Sequence, residues 1–302
     1  MLETTVIGSF PVEVDGGDFA GEYLGGRVRD HSAEFITQAV ADQVSAGVDI
    51  VSDGQTRGHF VKIFAGSFRG IAVERRPVVF GKVEYARLSS VEDQKLVRRI
   101  IPKKVKLKGI ITGPYTIAMN SENRFYKSTQ DLVFDLAEGL NAEAKALDKV
   151  VDFIQVDEPF LSVEFAPYAK DAVEKVFSGV RKPRMLHVCG DVAGIFGKLV
   201  EFPVDYLECE FAANPELWDA VNGVDFRQKV GVGVVRSDSD RVEPVAEIMR
   251  SMEKAIGILG KERVIFNPDC GLRDFPRDVA ERKLRNMVEA RDQIEKEFGK
   301  RR

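Results

Sequence analysis

The sequence predicts an α/β chain folded as a (β/α)8, or TIM, barrel with insertions after strands 1 and 2. Three observations carry that reading. Short β-branched runs alternate with longer stretches whose apolar residues recur at three and four. The strand-like runs number eight, the count that closes a barrel of typically ~250 residues, in a chain of 302. Polar residues gather at the C-terminal ends of those runs while their starts are apolar, as in a barrel whose loops on one rim build the site.

In order, the runs are TTVIGSF (4–10), DIVSDG (49–54), KLKGIIT (106–112) and FIQVDEP (153–159). RMLHVCG (184–190), YLECEFA (206–212), KVGVGVV (229–235) and VIFNPDC (264–270) follow. Between them lie AEFITQAVADQVSAG, DLVFDLAEGLNAEAKAL and PVAEIMRSMEKAIGIL, each with the spacing of one buried helical face. RDVAERKLRNMVEARDQIEKEF reads as a long amphipathic helix, and the basic tail Lys300, Arg301, Arg302 suits its C-terminus. The excess length falls in residues 11–30, rich in Gly and acidic residues, and in 59–104, where RRPVVFGKVEYARL reads as a hairpin. An open doubly wound sheet is the alternative, but no G-x-G-x-x-G follows any strand. No Pro- or Ser-rich linker divides the chain, so residues 1–302 are read as one domain.

Composition narrows the function. Apolar residues make up 44% and charged residues 30%, with a net charge of −4, which excludes disorder and argues against a nucleic-acid partner. No apolar run approaches the ~20 residues of a membrane span. The N-terminal MLETTVIGSFPVEVDG lacks a basic region before an apolar one and reads as a first strand rather than a signal peptide. Three scattered cysteines make a poor disulfide framework. A cytoplasmic protein with free thiols is the expectation.

The rim residues are Gly8 and Ser9 on strand one, Asp53 and Gln55 on strand two, and Asp157 and Glu158 on strand four. Strand five adds His187 and Cys189, strand six Glu208 and Glu210, and strand eight Asp269 and Cys270. On a strand, residues i and i+2 share a face with Cα atoms ~6.6 Å apart. His187 and Cys189 can therefore reach one ion at the bond lengths zinc uses. Cys270 and a strand-six carboxylate would complete four ligands. Cys209 points the other way, as a core residue. Spacing alone is equally compatible with a packed strand carrying a satisfied histidine and two inert thiols.

Several motifs then act together. TTVIGSFP, TGPYTI, IQVDEP, HVCGD and NPDCGLR followed by NMVEA resemble the catalytic, carboxy-terminal domain of cobalamin-independent methionine synthases, in that family's order and over residues 4 to 290. The resemblance implies a zinc barrel that binds homocysteine and methylates its sulfur. It implies His187, Cys189 and Cys270 as zinc ligands with Glu210, Glu208 being the fallback. It implies homocysteine contacts at Ile7, Gly8, Ser9 and Asp157. Three departures stand out. The family's second-strand carboxylate is here Gln55, with Asp53 on the same strand face. The tryptophan expected against a folate donor falls at Asn120, and the histidine expected to give that folate a proton falls at Asp238. These losses point to a donor other than folate, such as methylcobalamin or a corrinoid protein; the basic VRRIIPKKVKLKG could dock it, but a solvated surface flanking a strand is the favoured reading of that stretch. Remaining alternatives are another thiol such as coenzyme M, a zinc-free lyase or decarboxylase using Asp157 and Arg57, and a noncatalytic barrel stapled by metal.

Overall fold

The structure, a computed structural model, describes residues 1–13 and 31–300. Most of the Gly-rich insertion expected at 11–30 and the tail Arg301, Arg302 lie outside the described residues. Seven parallel strands form a curled sheet in the order β1-β4-β6-β7-β8-β9-β10. They are β1 (Ile50–Val51), β4 (Lys106–Thr112), β6 (Phe153–Asp157), β7 (Arg184–Val188), β8 (Tyr206–Cys209), β9 (Lys229–Val235) and β10 (Val264–Pro268). The run expected at 4–10 is present as two parallel bridges, Thr4 to Phe266 and Thr5 to Ile50. Those bridges tie the two outermost strands of the sheet to one segment. Thr5 N–H donates to Phe266 O at 2.8 Å, and Ile50 N–H to Thr4 O at 3.1 Å.

Helices pack outside. The long ones are α1 (Ser32–Ser45), α5 (Thr129–Leu147), α10 (Val245–Leu259) and α11 (Arg277–Lys300), with α3 (Val91–Ile100) and α7 (Ala169–Val176) shorter. Four single-turn helices, α2 (Phe60–Ala65), α4 (Pro114–Met119), α6 (Phe160–Val163) and α8 (Phe196–Leu199), and α9 (Leu217–Asn222) fill the connections. Outward-facing Ile154, Val156, Leu186, Val188, Leu207, Cys209 and Phe266 join the helices in the main apolar core. Among the described residues, no helix is long and apolar enough to cross a membrane.

The second insertion does hold a hairpin, displaced from the expected one. Strands β2 (Phe68–Val73) and β3 (Pro77–Tyr85) pair antiparallel, so their turn falls at 74–76. RRPVVFGKVEYARL therefore supplies the end of the turn and one strand rather than two, and Gly81 sits within β3. Val78 and Val79 of β3 also pair in parallel with β5 (Glu122–Asn123). Arg76, in the turn, donates to the Met119 and Asn120 carbonyls, each at 2.9 Å. It thus caps the exposed C-terminus of α4 and seats the hairpin on it.

The inner face explains where chemistry can sit. Because side chains alternate along a strand, β6 presents Phe153, Gln155 and Asp157 inward, and β7 and its continuation present Met185, His187 and Cys189. Strand β8 presents Tyr206, Glu208 and then Glu210, and β10 presents Ile265 and Asn267. At the N-terminal end Ile50, Phe153, Met185 and Ile265 form a separate apolar plug with Tyr206 against it. Above the plug Lys108 and Glu208, both fully buried, pair at 3.0 Å. Gly231 makes room for that carboxylate, since a Cβ there would sit 2.4 Å from Glu208 Cγ. The basic stretch 97–109 precedes and enters β4, at the end of the sheet opposite the polar rim. Arg98 is bound there by Asp152 at 2.7 Å and Lys106 by Glu3 at 2.5 Å. That position removes the stretch as a dock for a molecule that must reach the rim.

Truncating one partner of a buried charge pair leaves the other uncompensated, at about 3–5 kcal/mol. Glu208→Ala should lose stability on that scale in urea unfolding. The double change Lys108→Met with Glu208→Leu should recover most of it, because apolar replacement of a whole buried pair is near neutral. A single variant as stable as the parent would show that the pair is not held as drawn.

Candidate metal centre and substrate pocket

His187 is the last but one residue of β7, 1% exposed. Its Nδ1 lies 3.2 Å from the Glu208 carbonyl. A carbonyl only accepts, so Nδ1 carries the proton and the Nε2 lone pair is free to face the other way. Nε2 lies 2.9 Å from Cys189 Sγ. Gly190, at φ +86°, turns the chain away directly after Cys189, a left-handed conformation that glycine adopts without strain. Cys270 arrives from beyond β10, its Sγ 2.9 Å from that of Cys189, and both thiols are free. The ligand atoms of His187, Cys189 and Cys270 all lie within 4.8 Å of one another.

This is a donor set that fits zinc: one imidazole nitrogen with a fixed tautomer and two sulfurs converging from two strands. Its electrostatics fit too. Contact with Cys189 and with His187 holds the Cys270 thiol well below its ordinary range despite burial. Contact with Cys270, together with burial, holds Cys189 well above it. For His187 burial pushes downward, but Cys270, Asp157 and Glu208 outweigh it and carry the imidazole up to about 9. The cluster thus places negative charge on sulfur beside a site for positive charge.

The strand-six carboxylates divide. Glu208 Oε1 is bound by Lys108, and its Oε2 is buried with no partner among the described residues. Glu210 is half-buried at the rim, takes the Gly190 N–H and lies close enough to feel Cys270 and His187. It borders the three-residue group rather than belonging to it.

Asp157 pairs in register with His187. Gln155 Nε2 donates to it at 2.5 Å and to the Ile7 carbonyl at 2.9 Å, which ties the first segment to β6. Burial raises the Asp157 carboxyl to about 6. Gly8 lies beneath the Gln55 amide: a Cβ at Gly8 would sit 2.8 Å from Gln55 Oε1. Ser9 lies against the loop that carries Cys270, accepting the Leu272 N–H at 2.8 Å. A Cβ at Gly271 would sit 2.1 Å from Ser9 Oγ. Gln55 has φ +46°, the one positive φ outside glycine among the described residues. Its backbone N–H is held by Asp53 Oδ1 at 3.1 Å and its carbonyl by Arg273. Its Nε2 is buried without a partner among the described residues, a donor still to be satisfied.

Other rim residues turn out to be scaffolding. Glu158 accepts from Tyr115 N–H at 3.0 Å and Thr116 N–H at 2.7 Å, capping α4. Asp269 accepts from Ala212 N–H at 3.0 Å and Ala213 N–H at 2.8 Å, fixing the loop after β8. Arg57 grips Asp93 through two bonds of 2.5 and 2.7 Å, so it is not the free carboxylate-binding cation that a lyase would need. Asp238 is bound by Arg236 at 2.6 Å and held below the usual carboxylate range. The sequence reading puts a catalytic role at this position; an ionised, arginine-bound carboxylate accepts protons poorly and has none to donate. Asn120 ends α4, its amide donating to Thr116 O at 3.0 Å. His59 is exposed and stacks on Phe60. Sequence reasoning missed Lys108, Gln155 and Arg273. Lys108 was visible as a lysine inside an apolar strand, and Gln155 as the residue two before Asp157.

Fold and site together define an α/β enzyme with a thiol-rich group able to hold a metal on the rim of a curled parallel sheet. Residues 2–293 match the family described as "Cobalamin-independent synthase, Catalytic domain". The methionine synthase of Methanocaldococcus jannaschii is 38% identical, over 95% of this chain and 97% of that one. That of Saccharolobus solfataricus is 32% identical, over 99% and 96%. Among solved structures, a B12-independent methionine synthase from Shewanella sp. W3-18-1 in complex with selenomethionine superposes with a TM-score of 0.85 at 25% identity, covering 99% of both chains. The chain belongs to the cobalamin-independent methionine synthase family, and its relatives are methyltransferases.

Burial pushes Asp53 up to about 6, Asp93 adding to the effect and the Gln55 N–H opposing it. Between the ordinary carboxylate range and 6 the native state keeps a proton that the unfolded chain releases. The contribution of this group to stability is therefore full in acid and is lost as pH rises through 6. Asp53→Asn should remove that loss, gaining about 2–3 kcal/mol on the parent between pH 4 and pH 8. Urea unfolding of both proteins at the two pH values checks it, a pH-independent difference being the contrary result.

Proposed function

We propose that this chain is a single-domain, zinc-dependent thiol methyltransferase of the cytoplasm, built as an eight-stranded barrel, that converts homocysteine to methionine. The observation that carries this reading is the convergence of His187, Cys189 and Cys270, with Glu210 as the fourth ligand. Zinc bound there would supply a substrate sulfur that is a thiolate at neutral pH, where a free thiol is mostly protonated.

The chain's own residues do the rest. Asp157, beside His187 on the inner face, suits the substrate ammonium; at neutral pH it is ionised even with its carboxyl raised to about 6. The first-segment residues Ile7, Gly8 and Ser9 line the carboxylate end, with Gln55 and Asp53 across from them. The Shewanella relative was solved with selenomethionine, a selenium counterpart of the proposed product.

The donor reading rests on Asp238 and Asn120. A methyl leaving the nitrogen of a folate needs a proton delivered to that nitrogen. Asp238, paired with Arg236, holds none. Sulfur can instead attack the methyl carbon of a methylcorrinoid in line, forming the S–C bond while the cobalt–carbon bond breaks and both electrons stay on cobalt. That leaving group needs no proton. The corrinoid is here an external substrate, free or protein-borne, and the methyltransferase carries none itself.

Purified protein is expected to hold close to one zinc per chain, and Cys270→Ser to lose metal and turnover while staying folded. Crossing homocysteine and coenzyme M with methylcobalamin and methyltetrahydrofolate tests the substrates. Turnover should be fastest with homocysteine and methylcobalamin. Comparable rates with the folate would overturn the donor assignment, and preference for coenzyme M, which has no ammonium, would overturn the role of Asp157.

A further inference from the structure

At the end of the sheet opposite the rim, β7, β8 and β9 begin around a cleft of ≈ 740 Å³. We propose that this cleft binds an organic di- or triphosphate. Five cationic side chains line it, Arg181, Lys182, Arg184, Arg227 and Lys229, against one carboxylate, Asp205. That concentration of positive charge stands out in a chain whose net charge is −4.

The single carboxylate offsets one of the five positive charges, that of Arg184, and leaves the cleft strongly cationic. Asp205 accepts from Arg184 Nε at 3.0 Å, from its terminal nitrogen at 3.1 Å and from its backbone N–H at 2.8 Å. Lys229 Nζ is held over the Tyr206 ring, 5.6 Å from its centroid. Arg181 leans toward Asp148 at 3.6 Å. For the charged ends of Lys182 and Arg227 no partner occurs among the described residues. Arg184 is thus committed to Asp205, Lys229 is positioned over Tyr206, and Arg181, Lys182 and Arg227 add further charge. Clefts lined by one sign of charge focus the field and raise the local concentration of counter-ions. Guanidinium groups match phosphate oxygens in pairs, and three of the five cations are arginines.

The walls select an organic ligand over bare phosphate. Pro183, Val204 and Tyr206 contribute apolar surface between the charges, and the volume is that of an ordinary small-molecule site. Tyr206 also packs under the apolar plug of the interior, which gives the cleft a rigid floor. The cleft shares no residue with the rim, so this proposal stands apart from the reading of the metal centre.

Isothermal titration of the full chain with pyrophosphate, ATP and citrate tests it. Saturable binding of both phosphate compounds, ATP the tighter and citrate much the weaker, is expected. Arg227→Glu combined with Lys229→Glu should weaken ATP binding at least about tenfold, while Lys103→Glu, at the same end but outside the cleft, changes it less than about twofold. Both altered residues are exposed, so an unchanged melting temperature confirms that folding is intact. Absence of saturable binding, equal binding of citrate, or an unaffected double variant would overturn the proposal.

Discussion

The two-residue period of a parallel strand is the constraint on which the site depends. It sends Ile154, Val156, Leu186 and Val188 outward into the helical core and leaves Gln155, Asp157, His187 and Cys189 facing inward. Once apolar burial fixes the outer face, the inner residues have no choice of direction, since a slip of one residue would exchange the faces. The metal-ligand geometry is thus a by-product of core packing. The hydrophobic term that orders β6 and β7, about 1.5–3 kcal/mol for each large side chain fully buried, exceeds anything the polar residues could contribute alone.

That constraint also explains how polar groups survive inside the sheet. The inner face is graded along the strands, with an apolar plug at the N-terminal end, the Lys108–Glu208 pair above it and the thiols at the rim. The plug keeps bulk water out from below, so the buried pair must satisfy itself; each charge would otherwise bear a desolvation penalty of several kcal/mol. Gly231 is the local price of that arrangement, since any side chain there would displace Glu208. The pair in turn ties one oxygen of Glu208 to Lys108, while Glu210 stands at the rim.

Much of this was legible in the sequence. KLKGIIT and KVGVGVV mark β4 and β9 to the residue, because continuous β-branched runs bounded by polar residues have little freedom. The pairing of His187 with Cys189 and Cys270 followed from spacing together with family motifs. The hairpin reaches further toward the N-terminus than RRPVVFGKVEYARL, because its turn at 74–76 contains no glycine to signal it. The first strand shrank to two bridges because Ile7, Gly8 and Ser9 are held by side-chain and loop contacts that alternation does not encode. The basic stretch 97–109 leaves another question open in the sequence, whether its surface lies near the rim. Charge can be counted along a sequence, but which end of a sheet it occupies depends on strand direction.

The acidic rim shows most clearly what structure adds to composition. Asp53, Asp157, Glu158, Glu210, Asp238 and Asp269 all follow strands, and by type they are interchangeable as ligands, bases or ammonium partners. Their hydrogen bonds separate them. Glu158 and Asp269 each accept two backbone N–H groups, the pattern of a carboxylate that builds loops. Asp238 answers to a guanidinium and stays ionised. Asp53 braces the strained turn at Gln55. Asp157 and Glu210 remain, one in register with the imidazole and the other beside the thiols, each raised above its ordinary range chiefly by burial. A carboxylate buried without a cation gains most from a positive neighbour, because the ligand's charge offsets the desolvation that the protein leaves uncompensated. The two acids left over from scaffolding are therefore the two to which the proposed function assigns the ammonium group and the metal ion.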